Sequence, residues 1–189
     1  VTTVFIDVDT QLDFLFPAGA LYVPGGERIV PAIAALNRHA GARGIPLIST
    51  TDAQAENDPE FKDWPPHCVA GTLGARKPAS TLLDSVVSIP SVRSSFSIAG
   101  AKQIILEKQT IDAFTNANLP GILESLGADR YVVYGVVTEV CVKCAVAGLL
   151  KTGKPVAIVG DAVRHLNEDA AREVLSMCAV TSVSRELAA

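Results

Sequence analysis

Cys141 follows an apolar run, Tyr131 to Val137, that reads as a buried strand, and it lies in the first turn of a helix expected to begin near Thr138. Backbone N–H groups and the helix dipole favour a thiolate at such a place, and the thiolate is the nucleophilic form of cysteine. Two more strand-like runs end in residues of catalytic type. Val4 to Val8 leads into Asp9, and Ile104 to Leu106 leads through Glu107 into Lys108. An acid, an amine and a thiol on one rim make a hydrolytic set, with the acid managing the proton of the nucleophile. Each residue also has a plainer reading. Buried cysteine is common as a small core hydrophobe, Asp9 could cap a loop, and Lys108 could be a solvated strand end. Asp7 competes with Asp9 as the acid, but it lies inside the strand, and the spacing to Gln11 favours Asp9.

The elements that must carry these residues alternate. Ile29, Ile33, Leu36 and Ala40 recur at helical spacing, and Gly44 and Pro46 interrupt before a strand from Leu47 to Thr50. Asn118 and Pro120 introduce a second helical stripe, Leu119, Leu123 and Leu126, which Gly127 closes before the strand containing Val132 to Val136. The helix from Thr138 should end at Lys151 and Gly153, ahead of a strand Val156 to Val159. Asn167 should cap a helix with Glu168 and Asp169 in its first turn, and Val180 to Val183 should form a last strand. The expected architecture is α/β: a three-layer α/β/α sandwich, Rossmann-like, around a six-stranded, mainly parallel sheet, with residues 1–189 as one domain. Ligands in such sheets bind beyond the carboxyl ends of the strands, where strand order reverses. Asp9, Asp52, Lys108 and Cys141 all fall at such ends. The stretch Ala53 to Ala99, rich in Pro, Ser and Asp, is too long for a minimal connection and should supply part of a pocket wall.

Composition narrows the function. The 189 residues are 49% hydrophobic, enough for a substantial core. Sixteen basic residues against twenty acidic ones leave a net charge of −4, and the basic residues are scattered, which argues against a nucleic-acid partner. No apolar run approaches the roughly eighteen residues of a membrane span. With four cysteines and no secretory-type leader, reduced thiols and a cytoplasmic location are the expectation. Neither a Gly-x-Ser-x-Gly elbow, nor a phosphate loop, nor a dinucleotide glycine fingerprint occurs.

Four motifs in order resemble those of the isochorismatase-like cysteine hydrolases, and of the nicotinamidases among them. They are Asp9-Thr10-Gln11-Leu12-Asp13-Phe14 with Pro17-Ala18-Gly19 and Pro24-Gly25-Gly26, Trp64-Pro65-Pro66-His67-Cys68 with Gly71-Thr72 and Gly74, Glu107-Lys108 leading to Ala113-Phe114-Thr115, and Gly135-Val136-Val137-Thr138-Glu139-Val140-Cys141-Val142. The resemblance implies that Asp9, Lys108 and Cys141 form a triad which cleaves the C–N bond of a small amide through a thioester. It implies that Lys108 keeps Asp9 and the thiolate ionised, and that backbone N–H groups of Val137 and Cys141 hold the oxyanion. A cis peptide between Val136 and Val137 is implied as well. Phe14 and Trp64 are expected as apolar walls for a small substrate. Members of the family commonly associate, so a homo-oligomer is expected.

In nicotinamidases a divalent ion held by an Asp and His residues binds the pyridine nitrogen. The corresponding positions here read Asp52, Gln54, Glu60 and His67, so imidazole is replaced by an amide and a carboxylate. Asp52, Glu60 and His67 are the remaining candidates for a zinc-like divalent metal, although the triad chemistry itself requires no cofactor. Two other functions compete. Cys141-Val142-Lys143-Cys144 is a C-x-x-C at a helix start, as in thiol-disulfide redox proteins, but it lacks the usual Gly-Pro, and Cys144 is expected to face the core. A catalytically idle binding member of the fold would have no need of all three rim residues.

Overall fold

The computed structural model describes residues 1–189. Seven strands form one sheet: β1 (Thr3–Val8), β2 (Leu47–Asp52), β3 (Val86–Ile89), β4 (Gln103–Lys108), β5 (Arg130–Gly135), β6 (Val156–Val163) and β7 (Ala179–Thr181). Their order is β3-β4-β2-β1-β5-β6-β7, and every neighbouring pair is parallel. Parallel strands buried on both faces read as continuous apolar runs, which is why β1, β5 and β6 stand out in the sequence.

The sheet has seven strands where six were expected. The additional strand, β3, lies inside the stretch 53–99 that reads as a long connection. It is a four-residue edge strand in which only Ile89 is fully buried, so its apolar signal is one-sided and short. The end of the chain differs as well. Val183 opens a helix rather than closing β7, because Ser182 accepts a hydrogen bond from the Arg185 N–H and caps that helix.

Six helices cover the two faces. Helices α2 (Gly26–Arg43) and α6 (Val183–Leu187) lie on one face, and α3 (Leu119–Leu126), α4 (Lys143–Leu150) and α5 (Glu168–Leu175) on the other; the four-residue α1 (Leu12–Leu15) follows β1. The stripe Ile29, Ile33, Leu36 and Ala40 of α2 is buried against Phe5, Leu47 and Val132. Each such aliphatic side chain contributes about 1.5–3 kcal/mol by leaving water. Gly44 ends α2 at φ 67°, donating its N–H to the Ala40 carbonyl. On the opposite face Ile122, Val146 and Leu149 pack on Ile6, Leu106 and Val133. No helix is long and apolar enough to cross a membrane.

Successive strands run outward from β1 in both directions, through β2 and β4 on one side and β5 and β6 on the other. The carboxyl ends of β1 and β5 therefore flank the crevice in which such sheets bind ligands. Asp9 follows β1, Cys141 follows β5, and Asp52 and Lys108 end β2 and β4 in paired register.

Candidate active site

Asp9 leaves β1 in the left-handed region, at φ 49°, a conformation that Asp tolerates better than most residues. Its N–H donates to the Thr50 carbonyl at 3.1 Å, and the Thr50 hydroxyl donates to Asp9 Oδ1 at 2.6 Å. One carboxylate oxygen is thus held by β2, and the other, Oδ2, turns to Lys108 Nζ at 2.8 Å. Lys108 Nζ also contacts Asp52 Oδ1, donates to the Thr110 carbonyl at 3.0 Å, and lies 3.8 Å from Cys141 Sγ. All four groups are buried: Asp9 is 0%, Lys108 1%, Asp52 4% and Cys141 7% exposed.

The thiol stands on an irregular turn. The chain from Thr138 to Val142 is a π-helical turn, closed by the Val142 N–H donating to the Val137 carbonyl at 3.1 Å, and α4 continues from it. Such turns recur at functional sites. The Val136–Val137 peptide is cis, and the Val137 N–H has no acceptor within the protein. Gly135 sits at φ 117°, where a Cβ would fall 2.1 Å from the Val8 carbonyl oxygen, so β5 can approach β1 here only as glycine.

Burial dominates the electrostatics. It pushes the Asp9 carboxyl up, only partly opposed by the Lys108 ammonium, and it pushes the Cys141 thiol well up, against the pull of Lys108. Burial also works against the charge on Lys108, but Asp52, Asp9 and Cys141 together outweigh it and hold the ammonium well above its ordinary value. At Asp52 the burial cost is outweighed by Lys108 and His67, so that carboxyl is lowered. Lys108 thus favours the ionised forms of Asp9 and Cys141 against the cost of their burial, and its nearest ion-pair partners are Asp52 and Asp9.

Asp7, the competing acid, is fully occupied elsewhere. Lys77 Nζ lies 2.9 Å from its Oδ2, Thr10 donates to Oδ1 at 2.6 Å, and Asn37 and Ser49 each donate to Oδ2 at 3.0 Å. Asp7 shares its face of β1 with Phe5, toward α2, so this second buried ion pair anchors the stretch 53–99 to that face of the sheet.

Of the expected substrate walls, Phe14 is buried and packs on His67, with ring centroids 5.4 Å apart, while Trp64 is half-buried in the turn after Glu60. Phe61, not singled out from the sequence, stands edge-on to the same imidazole at 5.8 Å. Gln11 was also missed as a site residue. Its amide nitrogen donates to the carbonyls of Asp52 and Ala75, and its amide oxygen accepts the Asp52 N–H, each at 2.8 Å. The side chain thereby continues the β1–β2 pairing beyond the strands and fixes Asp52. Only its place two residues after Asp9 hinted at this. Cys144 is half-buried beside a surface groove with Asp112, Phe114 and Lys151 rather than facing the core, since α4 turns it away from the sheet.

Asp52, Glu60 and His67 do not fit a divalent metal. No three His, Cys, Asp or Glu side chains converge as an ion would require. Asp52 Oδ1 meets the Lys108 ammonium, and Glu60 Oε2 accepts from the Gln54 amide nitrogen. His67 Nε2 lies 3.6 Å from Asp52 Oδ2, and its Nδ1 lies 2.7 Å from the Pro65 carbonyl oxygen.

Known proteins share this fold and stretches of this sequence. The family model described as the isochorismatase domain matches residues 95–185. A nicotinamidase of Saccharomyces cerevisiae is 25% identical over 194 residues, spanning 87% of this chain and 88% of its own length. The maleamate amidohydrolase of Pseudomonas putida is 25% identical over 163 residues, spanning 86% and 72%. Among solved structures, the pyrazinamidase of Pyrococcus horikoshii in complex with zinc superposes with a TM-score of 0.81 at 27% identity, covering 96% of this chain and 99% of its own. The chain is thus similar to isochorismatase-domain proteins over its second half and to nicotinamidases over most of its length.

Proposed function

We propose that the protein is a cysteine amidohydrolase that cleaves the C–N bond of a small amide through a thioester. The observation that carries this reading is the convergence on one buried ammonium: Lys108 Nζ is 2.8 Å from Asp9 Oδ2 and 3.8 Å from Cys141 Sγ. The relatives named nicotinamidase, maleamate amidohydrolase and pyrazinamidase support the same class of reaction.

In this reading the Asp9 carboxylate takes the Cys141 proton as sulfur attacks the amide carbon. The carbonyl electrons move onto oxygen, where the N–H groups of Val137 and Cys141 receive the charge; one such donor is worth about 3–4 kcal/mol in acyl transfer. The tetrahedral intermediate collapses as protonated Asp9 gives its proton to the leaving nitrogen, and ammonia departs from a thioester. Asp9, again a carboxylate, then takes a proton from water, and the hydroxide attacks the thioester. The acid product leaves as sulfur recovers the proton. Lys108 does not exchange its proton. It holds the position of Asp9 and offsets the negative charge that passes between carboxylate and sulfur. The cysteine cycle needs no metal or other cofactor.

Ammonia release from a panel of small amides that includes nicotinamide tests the proposal. Activity on at least one amide, reduced by about a thousandfold or more in Cys141→Ala with the fold intact by circular dichroism, is the expected result. Undiminished turnover in that variant would sink the thioester route. A redox function predicts instead that thiol exchange requires Cys144, and an idle binding protein would give no turnover on any amide.

A further inference from the structure

Beside the triad lies a second cluster whose donors and acceptors are only half used. Gln54 is fully buried, and its amide nitrogen donates to Glu60 Oε2. Its amide oxygen, Oε1, is buried with no partner in the protein. A buried acceptor left unpaired is costly, so it marks a place where a donor is missing. The second oxygen of Glu60 also receives no hydrogen bond. His67 closes the cluster, 3.6 Å from Asp52 Oδ2 and wedged between the rings of Phe14 and Phe61.

These groups do not assemble a metal site. A bound divalent ion needs three or four ligand atoms around one point, and no three His, Cys, Asp or Glu side chains converge here. The Lys108 ammonium occupies the other oxygen of Asp52 and repels a dication from it. What the cluster offers is a set of acceptors for N–H.

Resting on the reading of the protein as an amidohydrolase, we propose that the Gln54–Glu60 pair, closed by His67, holds the tail of the substrate by accepting hydrogen bonds. The site is then metal-independent and selects amides whose tail carries an N–H donor, such as an amino group, over amides that present only an aromatic nitrogen or an alkyl group. The amino tail donates to Gln54 Oε1 and Glu60, and the Phe14–His67–Phe61 stack walls it in. No bond is made or broken in this recognition.

Two measurements test the proposal, and the first does not depend on activity. Zinc titration of the wild-type chain, with metal content read after dialysis, should show no stoichiometric ion, while Gln54→His/Glu60→His should bind zinc about tenfold or more tightly than wild type. A stoichiometric zinc retained by the wild type and lost in His67→Asn would overturn the proposal, whatever the protein hydrolyses. The wild-type result stands even if the double variant does not fold. The second measurement compares kcat/KM for a series of ω-amino amides with their alkyl isosteres and with nicotinamide. The amino series should lead by about tenfold or more, the value of one well-made charged hydrogen bond, and the lead should collapse in Glu60→Gln. Equal or better turnover of the alkyl amides or of nicotinamide would overturn the selectivity. If no amide is turned over at all, the hydrolytic reading fails, and with it the substrate selectivity, while the zinc titration alone judges the metal-independent cluster.

Discussion

Thr50 and Asp9 are joined twice across the first two strands of the sheet: the threonine hydroxyl donates to Asp9 Oδ1 at 2.6 Å and lies 3.2 Å from the Asp9 N–H that it accepts. This pairing decides which carboxylate oxygen is free. With Oδ1 held by β2, only Oδ2 faces Lys108 and the thiol. Thr50→Val keeps the shape of the side chain and removes both bonds. A hydrogen bond to a charged group is worth about 1.5–3 kcal/mol, so kcat should fall about tenfold to a hundredfold. Because the bond also lowers the Asp9 carboxyl, the acid limb of the kcat/KM profile should move to higher pH. A drop in rate with no movement of that limb would show that Thr50 acts on packing alone.

In the proposed mechanism the buried Asp9 carboxylate serves as the base, and its burial costs stability. Burial raises its folded pKa above the unfolded value of about 3.9. The sign follows from linkage: a group with a raised folded pKa contributes stability that is fully present below its unfolded pKa and is lost as pH rises through the folded value. Asp9→Asn does not titrate and escapes that loss. Its melting temperature relative to wild type should therefore climb from about pH 3.9 upward and level off above the folded value, while activity is abolished. A constant difference in melting temperature across that window would contradict the assignment.

Much of this site could be read from the sequence because three apolar runs end in Asp9, Lys108 and Cys141, and a parallel sheet puts such ends on one rim. The choice between Asp7 and Asp9 rested on position within a strand, and the side-chain network explains it: Asp7 faces α2 and Lys77, and Asp9 faces Lys108. Pattern reading failed where the decisive partner is distant in sequence. Nothing near Asp52 announces that Lys108, fifty-six residues later, pairs with one of its carboxylate oxygens. Strand β3 escaped because an edge strand with one buried face has too few apolar positions to rise above a Pro- and Ser-rich background.

Asp7 and Lys77 should matter for folding and not for chemistry. Asp7→Ala leaves a buried ammonium, with its side chain 2% exposed, without its counter-charge and strips acceptors from Thr10, Asn37 and Ser49. Breaking a buried pair from one side costs about 3–5 kcal/mol. Urea unfolding should show a lower midpoint by that amount, with kcat of the folded fraction close to wild type. Replacing both partners, Asp7→Asn with Lys77→Met, should recover part of the loss, since the unpaired charge and not the missing bond dominates the cost.

Gln11 supplies the last and sharpest separation between holding a site and reacting in it. Its three buried bonds, each 2.8 Å, satisfy both backbone groups of Asp52 and the Ala75 carbonyl, so the side chain ties the end of β2 to the stretch that covers it. Gln11→Glu keeps the size and the acceptor for the Asp52 N–H but turns a carboxylate oxygen toward two carbonyls that had a donor. Each buried group left unpaired costs about 1–3 kcal/mol. Asp52 should then swing from Lys108, the ammonium should shift toward Asp9, and the Asp9 carboxyl should titrate lower than in wild type because it would gain more of that charge. The expected signature is reduced stability, reduced kcat, and an acid limb displaced to lower pH, opposite to the displacement in Thr50→Val. The same direction of shift in both variants would mean that Asp52 and Asp9 do not compete for Lys108.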